Sequence, residues 1–225
     1  MKNTKDIVIV GASSEVAIEF AKILNKEKYN VHKISSHQTS KPNVFVKDYL
    51  QDLNLITSYL NNLTNPIIFF FNGYLRENRP EYFPNIDELI NTYKINFQVP
   101  QMIIDKLVKA DKVCKFIVIS SIAGIKPRYK NYYYGYTKKL LEDYVVNIQK
   151  QQYLILRFGK IETKMSKNHK NPPFKLSKFD CCKLILKNIN KHGIVHPTIG
   201  LKFTNIFISA LPIKIINLIE SKLLK

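Results

Sequence analysis

The sequence predicts an α/β chain: a doubly wound parallel sheet in three layers, followed by a C-terminal amphipathic helix. Three observations carry this. Short apolar runs alternate with helical periodicity along most of the chain, as in a sheet covered on both faces. The runs are nearly unbroken rather than alternating, which strands buried on both sides require. Finally, glycines and polar residues fall just after the runs, at the carboxyl ends where ligands bind such sheets.

The first run, Asp6 to Val10, leads into GASSEVA and a helical pattern of Val16, Ala17, Phe20, Ala21 and Leu24. Strand, glycine turn and helix form half of a dinucleotide-binding unit, its helix N-terminus offering N–H groups to a pyrophosphate. Gly11 makes the turn, and Ser13 and Ser14 cap the helix or contact phosphate. Ala17 suits helix–strand packing where a later glycine is wanted. Glu15, in place of the second glycine, sets a bulky anion where phosphate should approach.

Asn30 to Ile34 is the second strand, ending in Ser35-Ser36-His37. An acid there would bind the ribose hydroxyls of NAD, but none stands between Lys28 and Lys47. Ser36 and His37 therefore predict NADPH over NADH, although His37 reads equally well as a solvated loop residue. A third strand spans Asn43 to Val46 with Asp48 beyond it, and a helix spans Gln51 to Leu63. The fourth strand, Ile67 to Phe71, ends in Asn72-Gly73. After a polar loop carrying Arg76 and Arg79, a helix from Ile86 to Ala110 contains Asn96 and should bend at Pro100. Lys115 to Ser120 is the fifth strand, Asn131 to Gln151 a helix, and Tyr153 to Arg157 the sixth strand. Ser177 caps a further helix, and Gly193 to His196 is a last short strand.

Between the fifth strand and its helix lies SSIAGIKPRYKNYYYGYTKK. Ser121 ends the strand, Tyr134 follows thirteen residues later and Lys138 four after that. On a helix, residues four apart share a face, so a phenol and an ammonium line one wall. The ammonium should lower the phenol's pKa from about 10, and Ser121 could hold a carbonyl oxygen beside it. Tyr-x-x-x-Lys also occurs at Tyr29/Lys33, but there on a strand, where no such wall forms.

Composition excludes several classes. Cys114, Cys181 and Cys182 make neither a disulfide framework nor a zinc site. No apolar stretch is long enough to span a bilayer, and no leader is read at Met1 to Val10, so a cytoplasmic location is expected. The net charge of +18 invites nucleic acid, but no Arg-rich arm or recognition signature accompanies it, so no nucleic-acid partner is expected.

Taken in order, Gly11, Asp48, Asn72-Gly73, Asn96, Ser121, Tyr134, Lys138 and FGKIET resemble the short-chain dehydrogenase/reductase family over about residues 5–197. The resemblance implies a Rossmann-like fold and an NADP(H)-dependent ketoreductase. Tyr134 would be the acid/base, Lys138 would hold the ribose, Ser121 would orient the carbonyl, and Asn96 would hold a relay water. Asp48 would bind the adenine amino group, and Gly159, Ile161 and Thr163 would flank the nicotinamide. Asn96 reads alternatively as a helix-surface residue and Asp48 as a cap.

From Ile213, Lys214, Asn217, Ser221 and Lys225 form a polar stripe opposite Ile215, Ile216, Leu218, Ile219, Leu223 and Leu224. Such a helix lies on anionic lipid, or packs on the domain or a dimer mate. This tail, set as residues 201–225 against a catalytic unit of 1–200, resembles the reductase branch that acts on decaprenylphosphoryl-keto-arabinose. That branch implies a keto-sugar on a lipid phosphate or nucleotide, in cell-surface glycan synthesis at the inner face of the membrane. Lys164, Lys167, His169, Lys170 and Lys175 could meet its phosphate. A small-molecule keto substrate and a homo-oligomer are expected. The alternative is a cofactor-binding regulator or scaffold without turnover, suggested by the irregular glycine loop and Glu15.

Overall fold

A computed structural model describes residues 5–27, 29–38, 41–75, 84–128, 131–148, 151–167 and 174–223. Arg76, Arg79, His169, Lys170, Leu224 and Lys225 lie outside them, as do the side chains of Ser221 and Leu223. Seven parallel strands, β1 (Asp6–Val10), β2 (Asn30–Ser35), β3 (Val44–Phe45), β4 (Ile67–Phe70), β5 (Lys115–Ser121), β6 (Gln152–Phe158) and β7 (Gly193–Val195), lie in the order β3-β2-β1-β4-β5-β6-β7. The order reverses between β1 and β4, which pair from Ile7–Ile67 to Val10–Phe70. Crossover helices diverge there and leave a crevice at the strand ends.

One face is covered by α2 (Leu53–Asn61), α4 (Val99–Lys109) and α5 (Tyr132–Val146), packed on Val8, Ile68, Phe116, Val118 and Ile155. The other is covered by α1 (Glu15–Lys26) and α6 (Lys178–Asn188), packed on Ile9, Phe69, Ile117 and Leu156. Alternate residues of each strand supply the two cores, which is why the strands read as continuous apolar runs. Cys181 and Cys182 are buried and Cys114 is buried too, all as free thiols.

Two helices differ from expectation. The predicted helix from Ile86 is two, α3 (Ile86–Tyr93) and α4, joined by a π-helical turn over Lys94–Gln98. Pro100 follows that turn and occupies the first turn of α4, where proline is tolerated. Asn96 sits in the π turn and is fully buried rather than on the surface. The second difference is α7 (Ile199–Ala210), which precedes the expected tail helix, α8 (Ile213–Leu223). The boundary expected after residue 200 falls inside α7, whose Leu201 belongs to the α1/α6 core.

Helix α5 is pressed onto the tight turn after β5, Ile122–Gly124. A Cβ on Gly135 would stand 2.5 Å from the Ala123 carbonyl oxygen, so only glycine permits this approach. Gly135→Ala should therefore lower stability by about 1–3 kcal/mol, despite the gain of up to about 1 kcal/mol that Ala brings to an unobstructed helix. Gly73→Ala, whose Cβ would rest 3.6 Å from the flexible end of Met165, should be nearly neutral. Thermal melts of the two variants check the contrast; equal melting temperatures would contradict it.

Candidate active site

The crevice begins at Gly11. Its φ of +80° is one that glycine adopts freely, and a Cβ there would stand 2.8 Å from the Asn72 backbone N. The turn is fixed by Gly11 N and Ala12 N, both donating to the Ile34 carbonyl at 3.1 Å. Ser14 is the N-cap of α1, its hydroxyl accepting from Ala17 N at 3.2 Å. The Ser13 hydroxyl instead faces the end of β2, 3.3 Å from His37 Nδ1, and the Ser36 hydroxyl lies 3.2 Å from the same nitrogen. Ser13, Ser36 and His37 thus form one polar cluster beside the turn.

Glu15 does not behave as the sequence suggested. One carboxylate oxygen accepts from Lys164 N at 2.6 Å and the other from Lys178 Nζ at 2.7 Å. Those hydrogen bonds, Lys178 first, hold its carboxyl below the ordinary range. The anion that looked obstructive ties the α1 turn to the segment after β6 and to the first turn of α6. That segment is short and pinned. Ile161 bridges Leu176, Glu162 N donates to the Leu176 carbonyl, and Thr163 caps a single turn over Lys164–Ser166. Gly159 lies against Leu201 of α7. Of the basic residues here, Lys175 pairs with Glu162 at 2.8 Å.

Asp48 closes a turn ahead of α2, whose N-cap residue is Asp52 and not Asp48, accepting from Leu50 N at 2.9 Å and Gln51 N at 3.3 Å. Its second oxygen pairs with Lys94 of the π turn, which together with those N–H groups holds the carboxyl low against desolvation. The sequence reading passed over Tyr49. Its hydroxyl donates to the Ile34 carbonyl at 3.3 Å, and it reaches Gly11, Ser36 and the Asn72 side chain. Burial pushes this phenol up to about 12. The only signal for it was an aromatic residue directly after Asp48.

At the end of β4, Asn72 Oδ1 is buried with no hydrogen-bond partner among the described residues. Asn96 clamps the next residues: its Oδ1 accepts from Tyr74 N at 2.7 Å, and its Nδ2 donates to the Tyr74 carbonyl at 2.9 Å and to Thr137 Oγ1 at 3.1 Å. Lys138 is 3 % exposed, and its ammonium donates to the carbonyls of Asn72 and Ile119, each at 3.2 Å. It also lies 5.7 Å from the centre of the Tyr134 ring. Ser121 ends β5, accepts from Ala123 N at 3.2 Å and hydrogen-bonds the Tyr134 phenol. Ser121, Tyr134 and Lys138 therefore converge on the crevice, with Asn96 behind them.

Their electrostatics depart from expectation. The Tyr134 phenol is pushed up to about 12, because burial outweighs the hydrogen bond from Ser121. The Lys138 ammonium donates to the Asn72 and Ile119 carbonyls, and burial sets the direction of the phenol's shift. Lys138 itself is drawn down to about 8 by burial, with Glu142 opposing. At neutral pH the phenol is thus a proton donor and the ammonium largely charged.

No protein-family model matches the chain, and no curated protein matches it. Solved structures do. A short-chain dehydrogenase from Burkholderia cenocepacia J2315 in complex with NADP matches with a TM-score of 0.79 at 13% identity, covering 99% of this chain and 98% of that one. A short-chain dehydrogenase from Streptomyces avermitilis matches at 0.72 and 12%, covering 92% of each chain. A 3-ketoacyl-(acyl-carrier-protein) reductase from Brucella melitensis complexed with NADH matches at 0.66 and 14%, covering 83% of this chain and 91% of that one. The fold is Rossmann-like, shared with these structures.

The Glu15 tie predicts a local effect. Glu15→Ala should cost at most about 1 kcal/mol globally, since the pair with Lys178 is partly exposed. Amide exchange at Lys164 should nevertheless accelerate. Because the folded carboxyl titrates below its ordinary value, the tie holds above about pH 4.3 and is released as pH falls through the lowered value. Unchanged Lys164 protection in the variant would contradict the assignment.

Proposed function

We propose that this chain is an NADPH-dependent short-chain dehydrogenase/reductase that reduces a ketone to an alcohol. The observation that carries the reading is the convergence of Ser121, Tyr134 and Lys138 at the ends of β4 and β5, beside the Gly11 turn. The residues present fit a nicotinamide dinucleotide. α1 offers a capped N-terminus just after the Gly11 turn, and the buried Asn72 Oδ1, without a partner among the described residues, lacks the donor that a ribose hydroxyl would bring.

When bound, the nicotinamide supplies hydride to the carbonyl carbon. Tyr134 donates its phenolic proton to the carbonyl oxygen, and the raised pKa keeps that proton in place until it is needed. Ser121 hydrogen-bonds the same oxygen. The Lys138 ammonium stabilises the phenolate left behind and binds the ribose. Asn96 fixes the backbone at Tyr74, and the remaining lone pair of its Oδ1 serves a relay water. Gly73, Gly159, Ile161 and Thr163 would line the nicotinamide end, while Ser14 and the α1 N-terminus would meet the pyrophosphate. Asp48 keeps lone-pair capacity for an adenine amino group beyond its three present donors. The Ser13–Ser36–His37 cluster supports NADPH over NADH, because two hydroxyls and an imidazole suit a 2′-phosphate and no carboxylate stands there to repel it.

For substrate we infer a keto-sugar carried on a lipid phosphate or nucleotide, as in the keto-arabinose reductase branch, made at the cytoplasmic face of a membrane. Lys164 and Lys167 stand beside the nicotinamide segment. No Asp or Glu occurs from Cys181 to Ile219. Within that stretch α7 and α8 leave Ile199, Phe203, Ile206, Phe207, Ile215 and Leu218 exposed. No helix among the described residues is long and apolar enough to cross a membrane, so contact would be interfacial. A homo-oligomer using this face would set Lys202 and Lys214 of each copy near those of the other. For the alternative of a binder without turnover, Glu15 no longer speaks, because Lys164 and Lys178 take up its carboxylate, while the irregular glycine loop still does.

Tyr134→Phe should lower ketone-dependent NADPH oxidation by at least about 100-fold while leaving the NADPH dissociation constant within a few-fold. Undiminished turnover would remove Tyr134 from its role. Sedimentation with anionic phosphatidylglycerol vesicles should carry the protein down, and Phe203→Asp should abolish this without altering turnover of a soluble ketone. A wild-type protein that ignores vesicles but dimerises through this face would assign the surface to a second copy.

A further inference from the structure

Behind the site lies a buried carboxylate that the mechanism above does not use. Glu142 stands one helical turn after Lys138 on α5 and is 2 % exposed. The Ser120 hydroxyl donates to its Oε1 at 2.5 Å. Arg157, on β6, binds it through both nitrogens: Nε at 3.2 and 3.0 Å from the two oxygens, and Nη2 at 2.6 Å from Oε2. The third guanidinium nitrogen donates to Asn205 Oδ1 of α7 at 3.2 Å. Ser120 immediately precedes Ser121, and Arg157 immediately precedes Phe158-Gly159. One carboxylate therefore fastens the helix bearing Tyr134 and Lys138 to both strand ends that deliver the rest of the site.

The geometry points to Glu142 as a positioning residue that holds Lys138 in its charged form and the β5 end in register with α5. This rests on the reductase reading above and deepens it. A Cβ built on Gly124 would lie 3.4 Å from Lys138 Cβ and 3.5 Å from Glu142 Oε1, so the two side chains flank one point of the turn. Among the described residues, Lys138 otherwise faces neutral partners: the Asn72 carbonyl from the end of β4, the Ile119 carbonyl from β5, and the Tyr134 ring from α5. Burial draws the ammonium down and Glu142 opposes that fall. Arg157 is the cation bonded to that carboxylate, and the His196 imidazole is held low by burial and by Arg157. Asn205 is neutral. A buried ion pair of this kind adds little net stability, so its presence next to the one buried lysine among the described residues asks for another account.

The test reads the lysine directly. With 13C-labelled lysine, the Lys138 signal, identified by its loss in Lys138→Arg, is titrated in the wild type and in Glu142→Gln. Removing the anion should move the Lys138 midpoint down by about one pH unit. The alkaline limb of turnover should move down with it, because the ammonium then loses its proton sooner. Glu142→Gln leaves Arg157 buried without its counter-ion, so Glu142→Gln combined with Arg157→Met is titrated as well. The shift should persist there, whereas a pair that only supports the fold would return the midpoint to the wild-type value. An unchanged midpoint in either folded variant, or collapse of both, would overturn the proposal. The titration needs no turnover, so failure of the reductase reading would show separately as a loss-free Tyr134→Phe assay.

Discussion

Helix α5 lies so close to the turn after β5 that position 135 has no room for a Cβ, and the rest of the site depends on this contact. Tyr134 precedes that glycine and Lys138 follows it by three residues. The backbone approach therefore sets how far the phenol and ammonium stand from Ser121. Asn96 braces the opposite wall, since its π turn drives the side chain inward onto Tyr74 and Thr137. Two backbone irregularities, a glycine contact and a widened helical turn, thus place four side chains that are far apart in sequence.

Such proximity has electrostatic consequences. The phenol and the ammonium are both desolvated, which raises one and lowers the other, and each change favours its neutral form. For the phenol that is useful in an acid. For the ammonium it is a liability, opposed by two carbonyls within hydrogen-bond reach and by the carboxylate one turn away. The crevice between β1 and β4 shows the same economy of means: Gly11 lets the backbones meet, and Asn72 contributes its carbonyl to the lysine while its amide oxygen is left unmatched.

The sheet was legible because its strands are buried on both faces, and β1, β4 and β5 were bounded in sequence to within a residue. Ser121, Tyr134 and Lys138 were legible through the helical period of four and the strand end before them. What escaped has physical reasons. A π turn inserts one residue without altering composition, so Lys94–Gln98 looked like ordinary helix. Helix α7, IGLKFTNIFISA, runs on into the tail without a break in its apolar content, with Lys202, Asn205 and Ser209 confined to one narrow stripe. Glu15 looked obstructive because its partners, Lys164 and Lys178, are about 150 residues distant, and no local pattern announces them. The phenol's pKa was expected to fall, since charge proximity can be inferred from spacing whereas burial cannot.

The central claim is that a hydroxyl, a phenol and an ammonium meet beside a nicotinamide ring. A crystal structure of the protein grown with NADPH and a ketone analogue tests it most directly. The account predicts the ring in the crevice at the ends of β4 and β5, its C4 facing the Ser121 and Tyr134 hydroxyls, with the Lys138 ammonium on the ribose. A cofactor bound elsewhere, or a Tyr134 oxygen turned away from the ring, would contradict it.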